Sequence, residues 1–185
     1  MASRNKLFAL ALAFLVPLLT AATIVVRGPV IAPVASGTPF FSGSPTGSPR
    51  SDFAGFVGAR FTNSSGGNLS ITELARWVVS GNSGTHTVAI RNTSGTILDS
   101  VSVNTSGASV GYKWVALSSA FTWGNGVSIC ITSTETNGGD SWYDTQVVTG
   151  SYTGVVHDFS VYENAGAPID QTAGEVYIPV NFRIQ

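Results

Sequence analysis

The chain has 185 residues, of which only 10% are charged, nine basic against ten acidic, for a net charge of −1. About a quarter charged is usual for a globular domain, and a near-neutral balance without any run of Lys or Arg leaves out the electrostatic footprint of nucleic-acid binding. A hydrophobic content of 43% equally leaves out a disordered chain. What remains is a hydroxyl- and glycine-rich sequence long enough for one domain with appendages.

The N-terminal stretch "MASRNK" sets Arg4 and Lys6 ahead of an uncharged run from Leu7 to Val26, and Thr20, Ala21 and Ala22 offer a cleavage site after Ala22. A basic start, an apolar middle and a small-residue exit are the grammar of a secretory signal peptide. Residues 1–22 are therefore expected to be a signal, and the chain to be secreted or displayed at the cell surface. The run is also long enough for an uncleaved anchor, the one reading under which the protein meets a membrane. Cleavage removes two of the nine basic residues and leaves seven against ten, or −3.

Residues 23–52 follow as an expected extended tail. Five of the eight prolines lie in "RGPVIAPVASGTPFFSGSPTGSPRSD", and proline at that density removes amide donors and resists regular pairing. Val30, Ile31, Val34, Phe40 and Phe41 are odd in a pure spacer. They fit a segment lying along a hydrophobic surface, its own or a neighbour's.

From residue 53 to 185 short apolar runs alternate with turn clusters, the rhythm of a sandwich or jelly roll. "FAGFVGARFT" closes at "NSSGGN", and "LSITELARWVVS" closes at "GNSG". "THTVAIRN" turns through Thr-Ser-Gly into "TILDSVSV", the strongest hairpin signal. "GYKWVAL", "GVSICITST", "WYDTQVV" and "TGVVHDFSVY" continue the pattern. In "EVYIPVNFRI" the apolar residues Val176, Ile178, Val180, Phe182 and Ile184 alternate with others, predicting a strand with one buried face. Pro179 places that strand at a sheet edge. No apolar run has helical spacing. The fold class is all-β, a single antiparallel β-sandwich, jelly-roll-like.

Cys130 is the only cysteine, so no intrachain disulfide forms and the fold stands on its core. Within "VSICITST" it reads as a small hydrophobe, inert as a thiol. "GASVG" around Ser109 matches G-x-S-x-G, but no helix follows to build a nucleophile elbow. His157 and Asp158 are adjacent on a strand and so point to opposite faces. His86 shares parity with Val88 and Ile90, which predicts a half-buried, hydrogen-bonded ring. No zinc or metalloprotease spacing is present. The chain is not expected to be an enzyme.

The densest chemistry is "TETNGGDSWYD". Glu135, Asp140 and Asp144, with Asn137 and glycine carbonyls between them, have the oxygen donors calcium asks for. The same residues equally make a built turn. Trp142 and Tyr143 follow that turn, as a flat platform for a sugar ring or as core anchors. Trp77 and Trp114 fall inside strands and read as core. Asn63, Asn68, Asn92 and Asn104 head N-x-S/T sequons.

"FVGARFT", "ITELARWVVSGNSGTHTVAIRNTSGTILDSVSVNTSG", "YKWVALSS" and "TSTETNGGDSWYD", in this order, resemble a jelly-roll-like β-sandwich module of bacterial secreted and cell-surface proteins. "GNSGTHTV" and "ETNGGDSWYD" are the most specific pieces, and "YIPVNFRI" looks like its closing strand. The resemblance implies a non-catalytic binding or structural role, with the two loops meeting and bringing together His86, Glu135, Asp140 and Asp144. The reading is then a secreted binder of extracellular polysaccharide or surface polymer. Trp142, Tyr143, Asp140 and His86 form its ligand set, and Glu135, Asp140 and Asp144 hold calcium. The alternative is a structural subunit of an extracellular filament, its tail adding to a like subunit's sheet.

Overall fold

The computed structural model describes residues 37–146, 152–173, 176–178 and 180–185. The expected signal over 1–22, the first part of the tail and Pro179 lie outside them. Among the described residues there is no helix. The strands are β1 (Thr38–Pro39), β2 (Pro49–Arg50), β3 (Gly55–Asn63), β4 (Leu69–Val78), β5 (Thr85–Arg91), β6 (Ile97–Asn104) and β7 (Gly111–Trp123). After them come β8 (Ser128–Glu135), β9 (Trp142–Gln146), β10 (Val155–Asn164), β11 (Ala167–Ala173), β12 (Val176–Ile178) and β13 (Val180–Ile184).

They form a four-stranded sheet in the order β1-β13-β4-β7, a six-stranded sheet β11-β10-β3-β8-β5-β6, and a small sheet β12-β9-β2. Every pairing among the described residues is antiparallel. The two larger sheets share one sandwich-like core. Ile71, Leu74, Phe182 and Ile184 come to it from the first, and Phe61, Val88, Ile90 and Ile131 from the second. The alternation read in the sequence is what permits this, since every second side chain of a strand faces the partner sheet.

The β5–β6 hairpin forms as its turn chemistry dictates. The side chain of Asn92 accepts from the N–H groups of Ser94 and Thr96 at 3.1 and 2.8 Å. Gly95 takes a φ of +95°, a conformation only glycine adopts freely. A Cβ there would also stand 2.2 Å from the carbonyl oxygen of Gly166.

"EVYIPVNFRI" does not make one edge strand. β12 belongs to the small sheet and β13 to the four-stranded one, so the run is divided between two sheets. The edge beside β13 is covered by the chain's own residues 38–41. Thr38 pairs with Ile184 and Pro39 with Arg183, and the Phe40 N–H donates to the Phe182 carbonyl at 2.9 Å. Asn181 then reaches across with its side chain, accepting from the Phe41 N–H at 3.0 Å and donating to the Phe41 carbonyl at 2.9 Å.

The second half of the Pro-rich segment is thus extended but docked. Phe40 and Phe41 are buried in the core, 1% and 2% exposed. The Phe40 ring stacks on Phe182, with centroids 5.1 Å apart, and meets Phe61 edge-on at 5.0 Å. Two phenylalanines inside the sandwich mean that the folding unit begins before residue 53. Phe40→Ala is expected to lower the unfolding free energy by about 3–5 kcal/mol. Denaturant melts measure this, and a loss under about 1 kcal/mol would mean that the docked segment contributes little to the core.

Candidate functional site

Between β8 and β9 the stretch "TNGGD" is a tight turn. The Gly139 N–H donates to the Thr136 carbonyl at 2.9 Å and the Gly138 N–H to the Ser51 carbonyl at 2.6 Å, while Gly138 adopts a φ of +74°. That turn carries Asp140 against the loop between β4 and β5. Ser83 and Gly84 donate their N–H groups to Asp140 Oδ1 and Oδ2 at 2.8 and 3.0 Å. Asn82 and Ser141 exchange a further pair: Asn82 Nδ2 donates to the Ser141 carbonyl at 3.0 Å, and the Ser141 N–H returns to Asn82 Oδ1 at 2.9 Å. The loops around "GNSGTHTV" and "ETNGGDSWYD" therefore meet.

Behind this seam lies a buried charged network. Arg76 on β4 and Glu135 at the end of β8 form a bidentate pair, Nε–Oε1 3.2 Å and Nη2–Oε2 2.8 Å, and neither side chain has any exposure. Glu135 also accepts from Ser133 Oγ at 2.7 Å, and Arg76 donates to the Trp77 carbonyl at 2.9 Å. His86 stands between the carboxylates. Its Nδ1 lies 2.7 Å from the Thr134 carbonyl and its Nε2 2.9 Å from Asp140 Oδ2, with Glu135 Oε2 at 3.5 Å from Nδ1. The ring is thus bracketed by acceptor oxygens on both sides, and which nitrogen donates follows from its tautomer.

Asp140 illustrates how such a group stays ionised. Burial alone would raise its pKa. The hydrogen bonds from Thr105 Oγ1 at 2.5 Å, the Ser83 N–H, His86 and the Gly84 N–H together outweigh burial and hold it well below the usual carboxylate range. All of these donors stabilise the charged form, so nothing here primes Asp140 as an acid or base.

The residues expected to bind calcium are placed differently from one another. Glu135 is committed to Arg76 and Ser133, and Asp140 to His86, Thr105 and two N–H groups. Asp144 sits on β9, where its Oδ2 pairs with Arg50 Nη1 at 2.5 Å. Among the described residues no group of three or more His, Cys, Asp or Glu is arranged to hold a metal ion.

The aromatic pair also divides. Trp142 and Tyr143 are consecutive on β9, and a strand sends consecutive side chains to opposite faces. Tyr143 packs against the main core. Trp142 is 2% exposed and meets Tyr177 edge-on at 5.7 Å. Asp144, two residues on, shares the Trp142 face, and Arg50 serves both. Its guanidinium lies 5.1 Å from the indole centroid, while Nε donates to Asp52 at 2.6 Å.

This face forms a wall of an open pocket of about 210 Å³ between the small sheet and the six-stranded sheet. Arg50, Phe53, Val57, Trp142, Tyr162, Gln171 and Tyr177 line it. Of these only Trp142 was a candidate from sequence. Arg50 did leave a trace as the single charge in residues 28–51. Tyr162, Gln171 and Tyr177 left none, because their convergence depends on the pairing of distant strands.

The remaining candidates are structural. Ser109 lies in the loop before β7 with no helix after it. Cys130 is fully buried, and burial pushes its thiol up, against the opposing effect of Arg60. His157 packs its ring beside Phe61 and Phe41, at 5.3 and 5.8 Å, while Asp158 accepts from Thr62. Trp77 is buried, and Trp114 lies beneath the Arg183 guanidinium at 4.1 Å. Of the sequon residues, Asn63 is buried, its amide donating to the Gly67 and Trp123 carbonyls at 2.9 Å each. Asn68 and Asn104 are exposed.

No protein-family model, curated protein or solved structure matches the chain.

Removing one member of a buried pair strands the other charge. Arg76→Met is accordingly expected to cost about 3–5 kcal/mol in denaturant unfolding, and the double variant Arg76→Met, Glu135→Leu to recover much of it. A single variant as costly as the double would show that packing, not charge, sets the loss. The depressed pKa of Asp140 has its own signature. Its contribution to stability is complete above the unfolded-state pKa of about 3.9 and is lost as pH falls through the lower folded-state value. Asp140→Asn should therefore flatten the acid limb of the stability–pH curve; an unchanged limb would rule Asp140 out as its source.

Proposed function

We propose that this chain is a secreted, non-enzymatic, jelly-roll-like β-sandwich that binds an extracellular glycan or surface polymer through the pocket around Trp142. The observation that carries this reading is the pocket's lining. Apolar and aromatic walls (Phe53, Val57, Trp142) stand beside hydrogen-bonding groups at Tyr162, Tyr177, Gln171 and Arg50. A sugar ring has the matching character, with an apolar C–H face to lie on an aromatic and hydroxyls around its edge. Asp144, sought as a ligand contact or metal donor, enters this reading through Arg50. His86, Asp140 and Glu135 hold the neighbouring loops in place.

Assembly with like subunits is the second reading. Docking of residues 38–41 onto β13 uses that part of the tail within the chain, so a donated strand would have to come from the residues before it. β7, with 13 residues at the edge of its sheet, would be the longest acceptor among the described strands.

Affinity electrophoresis in gels cast with soluble polysaccharides tests the first reading. The full chain should be retarded by at least one polysaccharide. Phe53→Ala and Tyr177→Ala should abolish the retardation at a nearly unchanged thermal midpoint, because both rings are only partly buried. Trp142→Ala should lower retardation and midpoint together. Retardation that survives Phe53→Ala and Tyr177→Ala would move the site elsewhere.

A further inference from the structure

We propose that the pocket admits a single uncharged sugar ring, and that Arg50 with its two carboxylates is the device that turns charged rings away. This rests on the glycan reading above and adds a ligand class to it.

Size comes first. Sites for drug-sized ligands run to about 300–1,000 Å³, and a pocket of about 210 Å³ is in the range of one ring rather than a stacked series. Its opening to solvent leaves the rest of a polymer outside.

Charge decides the class. Among the described residues Arg50 is the only cation lining the pocket, and it is already committed. Nε and Nη2 donate to Asp52 at 2.6 and 3.2 Å, and Nη1 donates to Asp144 at 2.5 Å. One guanidinium and two carboxylates sum to −1. A uronic or sialic acid would have to displace an aspartate and would meet the remaining charge, a repulsion without compensation. A cationic amino sugar is drawn to the carboxylates, but it would bring a second positive charge against the Arg50 guanidinium, which lies 5.1 Å from the Trp142 centroid. A neutral ring meets neither obstacle.

The test is a solid-phase panel of three immobilised oligosaccharide classes probed with the full chain. The classes are neutral hexose and N-acetylhexosamine chains, uronate- or sialate-bearing chains, and glucosamine chains with free amines. The wild type should retain the neutral class only. Arg50→Gln removes the guanidinium charge and leaves its two carboxylates, and should raise glucosamine-chain binding roughly tenfold relative to neutral chains. Because Arg50 also braces the fold, Asp52→Asn serves as the second variant. Its side chain is 67% exposed, and its loss should raise uronate binding relative to neutral binding. Uronate or sialate chains bound by the wild type as tightly as neutral ones would overturn the charge-exclusion inference and leave the glycan reading standing. Retention of none of the three classes would remove the glycan reading itself.

Discussion

A guanidinium and a carboxylate with no exposure to solvent join the two large sheets. Arg76 belongs to the four-stranded sheet and Glu135 to the six-stranded one, so their pair ties the layers together at one end of the core. Two bare charges there would be prohibitive. Each is tolerated because the bidentate geometry is matched and the leftover donors and acceptors go to Ser133 and the Trp77 carbonyl. A buried pair of this kind adds little net stability over an apolar substitute, but its two bonds form only with β4 and β8 held at this spacing. The loop that follows Glu135 inherits that placement.

From there the order propagates along the chain. Asp140, five residues after Glu135, is clasped by the Ser83 and Gly84 amides, by Thr105 and by His86. β9 then leaves the seam with Trp142 on one face and Tyr143 on the other. The densest chemistry in the sequence thus divides its work. Its acidic half closes the seam between two loops, and its aromatic half supplies one wall of a pocket whose other walls come from β3, β10, β11, β12 and the residues before β3.

The Pro-rich segment follows a similar logic. Its prolines prevent a long strand, yet Phe40 and Phe41 still enter the core because Asn181 supplies the hydrogen bonds that an ordinary strand neighbour would have supplied. Further along, Pro49–Arg50 pairs with Trp142 and Tyr143, which delivers the Arg50 guanidinium to the indole. A stretch that composition marks as a spacer therefore contributes both to the core and to a pocket wall.

Much of the architecture was legible in one dimension. Alternation with period two marked the strands, Asn92 to Thr96 marked the hairpin turn, and the parity of His86 with Val88 and Ile90 marked a half-buried, bonded ring, which the fold buries. These are local properties, set by a strand's own repeat and by side chains that bond their near neighbours. Arg76 inside "LARWVV" was passed over in the sequence, although a charge in an apolar strand calls for a buried partner. Which partner it takes was not readable, because Glu135 lies 59 residues away. The sharing of faces was hidden for the same reason. Trp142 and Asp144 meet Arg50 rather than Asp140 and His86 because strand pairing, not proximity in sequence, decides which side chains converge. The sequence alone determined that this chain builds antiparallel strands around an apolar core. Only the tertiary structure decided where its charges cancel and where a pocket is left open, since both depend on pairings between residues far apart in the chain.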